Sequence, residues 1–260
     1  MTAVLDLESG VAAVGLGAAR TVPVAWMVPA FGGASAPALT RVGLGLGLAV
    51  LCLPRLAGQL PEAGPLLWTL LLAREAAVGV TLGFVASLVF RAAEGAGRLT
   101  DILRGANLAE VISPLSGART SPLGQLTALL AVVIFLELGC LGHLAAALGR
   151  SYDAVPLAAT VTPTQLGRVA TLVVAASAQM LEAAVGLAAP VLVSLLLADL
   201  VLGLVGRAAP QLPLYFVGLP ARALLGVGAL LVALATLDTA LVAGFRGWLG
   251  LLGRAVEAWR

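Results

Sequence analysis

The feature that most constrains this chain is a succession of long apolar segments separated by proline and glycine. Each is long enough, or nearly so, for the roughly 20 residues that a helix needs to cross a bilayer. The six segments cover residues 9–31, 37–53, 65–90, 122–149, 163–206 and 220–245. Five of them open at a proline, which suits the first turn of a helix, namely Pro37, Pro65, Pro122, Pro163 and Pro220. No strand pattern competes, so an all-α, polytopic membrane-type fold of helical hairpins is expected.

Composition agrees with a membrane chain and excludes several functions. The chain is 60% hydrophobic and 11% charged, and all fifteen of its basic residues are arginine. A net charge of +2 offers no broad basic surface, so no nucleic-acid partner is expected. The absence of lysine removes the phosphate-loop, Schiff-base and Ser-x-x-Lys lysines of several enzyme classes. Cys52, Cys140 and His143 lack a second ligand nearby, and we expect no metal, no cofactor and no enzymatic activity.

Two stretches are too long for one simple crossing. The proline-free run 66–113 would exceed about 60 Å as one helix, so its second half is expected to leave the hydrocarbon. The 163–206 segment opens with the spacing of a capping box at 162–165 and contains Pro190, so it is either two shorter helices or one kinked helix. The loops on the two sides of the membrane carry similar numbers of arginines, so the arginine count does not predict the orientation of the chain. Asp6 and Glu8 stand where a secretory signal carries positive charge, and the first segment is expected to be retained.

Small residues recur at a spacing of four and predict close packing of helices. Gly79 and Gly83 form one such step, and Ala93 and Gly97 form another. The pattern fits contacts within the chain and contacts with other subunits equally well.

A charged ladder follows the apolar part of the third segment. Its members, at spacings of three and four, are Arg91, Glu94, Arg98, Asp101 and Arg104. This spacing places charges of alternating sign on one helical stripe. The stripe is either a solvated face or part of a helix wedged among other helices with its charges paired. The connection 105–121 comes next, and unstructured connections of that length are uncommon unless they have a function.

Isolated carboxylates interrupt the apolar segments and need partners there. They are Glu75, Glu137, Glu182, Asp199 and Asp238. Pairing between helices or subunits is the expected arrangement, with a proton relay as the alternative. Arg74 is expected to point away from its neighbour Glu75, and Asp199 has no basic residue three or four positions later.

Residues 239–260 form an amphipathic pattern. The polar arc comprises Arg246, Arg254, Glu257 and Arg260, and the opposite apolar arc comprises Leu241, Phe245, Trp248, Leu252 and Trp259. A helix of this kind suits an interface or a docking partner.

Three stretches carry sequence elements that membrane helices in general do not require. Residues 91–124 contain Glu-x-x-Gly, Arg-Gly-Ala and Ser-Pro-Leu-Gly, and residues 135–156 contain Gly-His-Leu and Ser-Tyr-x-x-x-Pro. Residues 198–220 contain the most specific element, Gly-Leu-x-x-Arg-x-Ala-Pro-Gln-Leu. In these stretches, which occur in the same order, the chain resembles the FliR/SctT (YscT, SpaR, EscT) family of the type III secretion export apparatus.

The resemblance implies a non-enzymatic subunit of the export gate in the bacterial inner membrane, with residues 1–260 as a single domain. Its implied partners are FliP/SctR-type, FliQ/SctS-type and FlhB/SctU-type membrane subunits, the exported unfolded proteins and the lipid membrane. The helices of such subunits stack as a closed spiral around a central channel. The Arg-Gly-Ala and Ser-Pro-Leu-Gly elements favour the injectisome branch over the flagellar one.

The resemblance also implies site residues. The family's plug loop corresponds to residues 105–122, beside the charged ladder. Its expected members are Gly105, Ala106, Asn107, Ser113, Pro114, Gly117, Thr120 and Ser121. Arg207, Pro210 and Gln211 are expected to make subunit contacts near a helix break.

The competing hypothesis is a stand-alone secondary transporter or channel. Glu182, Asp199 and an interrupted fifth segment would then form an ion site near the middle of the membrane. Such transporters are commonly built from inverted repeats, and corresponding proline-interrupted segments are not evident in the two halves of the sequence.

Overall fold

The computed structural model describes residues 7–33, 36–56, 64–106, 121–157, 161–211 and 214–260. Regular structure within these ranges is entirely helical, which confirms the all-α prediction. The helices are α1 (Leu7–Met27), α2 (Ala38–Leu56), α3 (Pro65–Leu103), α4 (Pro122–Glu137), α5 (Cys140–Ala154), α6 (Pro163–Ala208) and α7 (Leu214–Ala258), with a short 3-10 turn at Pro29–Phe31.

Helix length and apolarity confirm the multi-pass prediction. Five of the described helices are long and apolar enough to cross a membrane, and α4 with α5 would form a sixth crossing as a bent pair. Three helices are much longer than one crossing needs: α3 has 39 residues, α6 has 46 and α7 has 45. At 1.5 Å per residue they extend about 60–70 Å, against a hydrocarbon core of about 30 Å.

Two helix boundaries differ from those expected from the sequence, and one alternative that the sequence left open is decided. The 122–149 segment is two helices, because Gly139 adopts a left-handed conformation (φ 65°) between α4 and α5, which bend by 74°. Of the two alternatives for the 163–206 segment, the structure has the single helix, with Pro190 inside it. Pro220 lies inside α7, so segment 220–245 and the amphipathic residues 239–260 belong to the same helix. Proline is tolerated inside membrane-type helices when neighbouring groups satisfy the freed backbone.

The described residues form two compact units, each assembled from separate parts of the chain. The first unit draws on the described residues within 1–88, 135–178 and 245–260, and the second on those within 89–134 and 179–244. Because neither unit is a continuous stretch, no single cut in the sequence separates them. The single-domain assignment of residues 1–260 stays a prediction.

In the first unit, glycines allow α1 to approach two other helices. A Cβ on Gly45 of α2 would lie 2.7 Å from the Val22 Cα, and a Cβ on Gly83 of α3 would lie 3.1 Å from the Pro23 carbonyl oxygen. A Cβ on Gly79 would meet the carbonyl oxygen of Arg20. The Gly79–Gly83 step therefore packs within the chain.

The apolar arc at the end of α7 is also buried within the first unit. Phe245 and Trp248 are fully buried, and their rings meet the ring of Phe135 edge to face, with centroids 5.5 and 5.6 Å apart. The apolar arc therefore packs inside the chain and is not left free for a docking partner.

The capping box predicted at the start of α6 is confirmed. Thr162 N donates to Gln165 Oε1 (2.8 Å), and Gln165 N donates to Thr162 Oγ1 (3.4 Å).

Candidate functional site

The second unit brings the end of α3 against the start of α4 through small residues. A Cβ on Gly97 would lie 2.6 Å from Gly124 N, so the two backbones are in direct contact there. Thr127 Oγ1 of α4 donates to the Ala93 carbonyl oxygen of α3 at 2.7 Å. The Ala93–Gly97 step, like the Gly79–Gly83 step, thus serves contacts within the chain. This approach sets the exit of α3 beside the entry of α4.

Helix α3 ends in a Schellman motif built by the Arg-Gly-Ala element. Gly105 is left-handed with φ 80°, a conformation that costs glycine little. Its N–H donates to the Ile102 carbonyl oxygen at 3.2 Å, and Ala106 N–H donates to the Asp101 carbonyl oxygen at 3.0 Å. These are the two hydrogen bonds of that motif, and they close the helix immediately before residues 107–120.

Helix α4 begins at the Ser-Pro-Leu-Gly element, and each of these residues has a local role. Ser121 is the N-cap, since its Oγ accepts a hydrogen bond from Gly124 N at 3.1 Å. Pro122 occupies the first helical position, where no N–H is needed. Gly124 lacks a Cβ that would lie 2.9 Å from Arg98 Cγ of α3.

One buried carboxylate joins these two helix ends. The Asp101 side chain is 1% exposed, and its Oδ1 accepts hydrogen bonds from Arg104, at 2.7 Å from Nε and 2.6 Å from Nη2. Its Oδ2 accepts from Ser121 Oγ at 2.5 Å and from Leu123 N at 3.0 Å. Leu123 N–H is one of the donors that the first turn of a helix leaves unpaired, and a negative charge is favourable there. Asp101 therefore holds both ends of the segment 107–120.

The charged ladder divides into two parts with different surroundings. Glu94 and Arg98 form an ion pair of 2.7 Å in which the arginine side chain is 59% exposed. Asp101 and Arg104 form a largely buried ion pair. Each of the two interpretations therefore holds for part of the ladder. Glu94 and Arg98 form a solvated face, and Asp101 and Arg104 are paired charges among helices. Arg91 is exposed.

The remaining expected site residues fall in different places. Gly105, Ala106 and Ser121 stand at the base of the predicted loop as described above. Asn107, Ser113, Pro114, Gly117 and Thr120 lie outside the described residues. Arg207, Pro210 and Gln211 are exposed at the end of α6, so the expected helix break is present, and their role in subunit contacts stays a prediction.

A buried charge cluster in the first unit was only partly foreseen. Arg20 Nε donates to Glu75 Oε2 at 2.7 Å with both side chains fully buried, which confirms pairing between helices for Glu75. Arg74 does not point away from Glu75, because its Nη1 lies 3.2 Å from Glu75 Oε1 while it also donates to the Pro156 carbonyl oxygen at 2.9 Å. The hydrogen bond to the Pro156 carbonyl oxygen holds the Arg74 guanidinium close to Glu75.

Arg20 is the centre of this cluster, and no sequence motif predicts a role for it. Its Nη1 donates to Ser151 Oγ at 3.0 Å and its Nη2 to the Val155 carbonyl oxygen at 2.9 Å. Its guanidinium lies 4.1 Å from the centroid of the Tyr152 ring, a cation–π contact. Ser151 and Tyr152 belong to the Ser-Tyr-x-x-x-Pro element, which could have pointed to a polar centre.

The other isolated carboxylates differ in their partners. Asp199 of α6 forms an ion pair of 2.5 Å with Arg222 of α7, so pairing between helices is confirmed there too. Glu137, Glu182 and Asp238 are exposed, and none of them takes part in an ion pair among the described residues.

Comparison with known proteins identifies the family of the chain. Residues 11–247 match the family described as bacterial export proteins, family 1. The chain is 33% identical to the Yop proteins translocation protein T of Yersinia pestis over 185 residues, 71% of this chain and 70% of that protein. It is 30% identical to the surface presentation of antigens protein SpaR of Salmonella typhimurium over 229 residues, 88% and 84% of the two chains.

A flagellar protein is similar to the same degree. The flagellar biosynthetic protein FliR of Bacillus subtilis is 30% identical over 200 residues, 75% of each chain. The preference for the injectisome branch therefore stays a prediction. Together with the membrane-length helices, these matches show that the chain belongs to the FliR/SctT family of type III and flagellar export apparatus components and is a multi-pass protein of the bacterial inner membrane.

Proposed function

We propose that this protein is a structural, channel-forming subunit of the type III secretion export gate, through which unfolded proteins cross the inner membrane. In this proposal residues 105–122 are a plug loop that closes the channel at rest and is displaced during export. Its partners are FliP/SctR-type, FliQ/SctS-type and FlhB/SctU-type membrane subunits. Family membership supports the setting, and the geometry around Asp101 supports the role of the loop.

The observation that carries the proposal is that one residue, Asp101, bonds to both flanks of the loop. Its carbonyl oxygen accepts from Ala106 N–H, and its carboxylate binds Arg104, Ser121 Oγ and Leu123 N–H. A plug must change position in its middle while its ends keep their place. The Schellman motif at Gly105 and the N-cap at Ser121 fix the two ends, and Asp101 joins them. The glycine and proline content of the loop suits irregular backbone, which at membrane depth is tolerated where protein or water surrounds it.

Exposed apolar surface supports assembly with other subunits. In the most apolar part of α6 only 17% of the residues are buried, against 67% in α3. Leu181, Val193 and Leu200 are among its exposed side chains, at 55–61%. An apolar face of this size, rimmed by the polar end at Arg207, suits neighbouring helices of a multi-subunit gate.

The transporter hypothesis receives less support from the same helices. Its ion site requires Asp199 to be available, but this carboxylate is paired with Arg222. Glu182 would remain as the single free carboxylate of that site, and it is exposed on the side of α6.

The decisive experiment removes the middle of the loop. Deleting residues 107–116 should raise ion leakage through the assembled gate, measured as conductance in the absence of export substrate. A Gly/Ser segment of equal length in the same place is the matched control for connectivity, and it should leak less than the deletion. Conductance that is unchanged by the deletion would overturn the proposed plug.

A further inference from the structure

A groove in the first unit has no role in the proposed channel. It has a volume of about 690 Å³ and lies between α5 and the end of α7. Its walls include Ala147 and Arg150 of α5 and Leu249, Leu252, Glu257 and Arg260 of α7. The volume is within the roughly 300–1,000 Å³ that is typical of sites for small molecules.

The wall formed by α7 changes from apolar to charged along the helix. Leu249, Val256 and Arg260 follow one another at helical spacing and Glu257 lies beside them, so these four residues belong to one face. Leu249, Glu257 and Arg260 are exposed, and Val256 is half-buried. A ligand that lies along this face would meet hydrocarbon at one end and charges at the other.

The charges of the groove are available to a ligand. Within the described part of the chain, Arg150, Glu257 and Arg260 take part in no ion pair. Asp153, which also lines the groove, is already paired with Arg55. Two guanidinium groups and one carboxylate therefore remain for a bound molecule.

The distribution of charge along α7 suits a groove at the depth of lipid headgroups. The helix extends about 68 Å at 1.5 Å per residue, so more than half of it lies outside a hydrocarbon core of about 30 Å. Residues 223–245 carry one charged side chain, Asp238, whereas residues 246–260 carry four. Charge is costly in hydrocarbon, so we expect the charged end outside it, where basic residues meet lipid phosphates.

We infer that this groove binds a membrane phospholipid with an ammonium-bearing headgroup, such as phosphatidylethanolamine. Arg150 and Arg260 bind the phosphate, since guanidinium groups match phosphate oxygens with paired N–H donors. Glu257 binds the ammonium group, and an acyl chain lies on Leu249 and Val256. A purely anionic headgroup would leave Glu257 facing negative charge. This inference depends on the membrane location of the protein and not on the plug loop.

Lipid retention by the purified full-length chain tests the inference. Native mass spectrometry in mild detergent with added phosphatidylethanolamine should show about tenfold weaker binding to the Arg150→Ala/Arg260→Ala variant than to wild type, because charge-assisted hydrogen bonds are lost. The matched control is Arg246→Ala/Arg254→Ala, which removes two arginines of α7 that do not line the groove. Equal retention by the two variants, with equal elution profiles, would overturn the lipid site.

Headgroup selectivity provides the second arm. Wild type should prefer phosphatidylethanolamine to phosphatidylglycerol, and Glu257→Gln should remove that preference. Equal binding of the two lipids by wild type overturns the assignment of the ammonium group. Full competition by inorganic phosphate would show that the apolar wall is not used and that the site takes free phosphate. Loss of a co-purifying subunit from the arginine variant, with lipid retention unchanged, would show a protein occupant and also overturn the inference.

Discussion

The Asp101 carboxylate and the Ser121 hydroxyl lie 2.5 Å apart although twenty positions of sequence separate them. The same carboxylate accepts the Leu123 N–H and pairs with Arg104. One side chain thus closes the base of the segment 107–120, caps α4 and fixes the last turn of α3. The proposed plug requires ends that keep their place, and these bonds fix the ends of α3 and α4.

Removing the charge of Asp101 tests this arrangement. Asp101→Asn keeps the shape of the side chain but leaves Arg104 without its buried ion pair and weakens the cap of α4. We expect the free energy of unfolding to fall by about 1–3 kcal/mol, and ion leakage through the assembled gate to rise. Thermal unfolding in detergent and conductance measurements give the two readouts.

Glu94→Gln is the control, because it removes the exposed ion pair of the same ladder, worth about 0–1 kcal/mol. If both substitutions change stability and leakage by the same amount, Asp101 has no special role at the loop base.

The contact between α3 and α4 predicts a second result. In Gly97→Ala the new Cβ would lie 2.6 Å from Gly124 N, so the two backbones must separate. We expect a loss of about 1–3 kcal/mol in the free energy of unfolding, as for other overpacked sites. Gly186→Ala on α6, which meets no atom within 4 Å, should instead be neutral or stabilising by up to about 1 kcal/mol. If Gly97→Ala and Gly186→Ala shift the unfolding temperature by the same amount, the close approach of α3 and α4 at Gly97 is refuted.

Helix content was predictable because it follows from properties of neighbouring residues. A long apolar run with a proline at its start indicates a helix without reference to the rest of the chain, and α3, α4 and α6 begin at the expected prolines. Gly139 was not recognised as a break, because nothing in the residues around it distinguishes it from a helical glycine such as Gly142.

The polar contacts were less predictable, since they depend on which helices meet. Glu75 is 55 positions from Arg20, and Asp199 is paired with a residue on the next helix. Spacing rules along one helix cannot reveal either partner. The Ser-Pro-Leu-Gly element was visible as a motif, but its attachment to Asp101 became evident only when the ends of α3 and α4 were seen together.

The buried cluster predicts strongly non-additive energetics. Glu75→Leu leaves the fully buried Arg20 guanidinium without its carboxylate and should cost about 3–5 kcal/mol in stability. Adding Arg20→Met should recover part of that loss, since an apolar pair of similar volume replaces the buried charges. A double-mutant cycle from thermal unfolding in detergent measures the coupling. Arg55→Ala, at the exposed pair with Asp153, should change stability by about 1 kcal/mol or less. If the stability changes of Glu75→Leu and Arg20→Met simply add in the double variant, the two side chains are not coupled as proposed.

The end of α6 predicts a defect in assembly without a defect in folding. Arg207 is exposed there, beside Pro210 and Gln211, and it takes part in no ion pair among the described residues. Arg207→Ala should therefore keep the thermal stability of the isolated chain but reduce the yield of FliP/SctR-type and FliQ/SctS-type subunits that co-purify with it. Arg168→Ala, an exposed arginine near the other end of the same helix, is the matched control. Because both substitutions remove one surface charge from α6, a loss of partners confined to position 207 indicates a local contact. Co-purification of Arg207→Ala at the wild-type level would exclude that role.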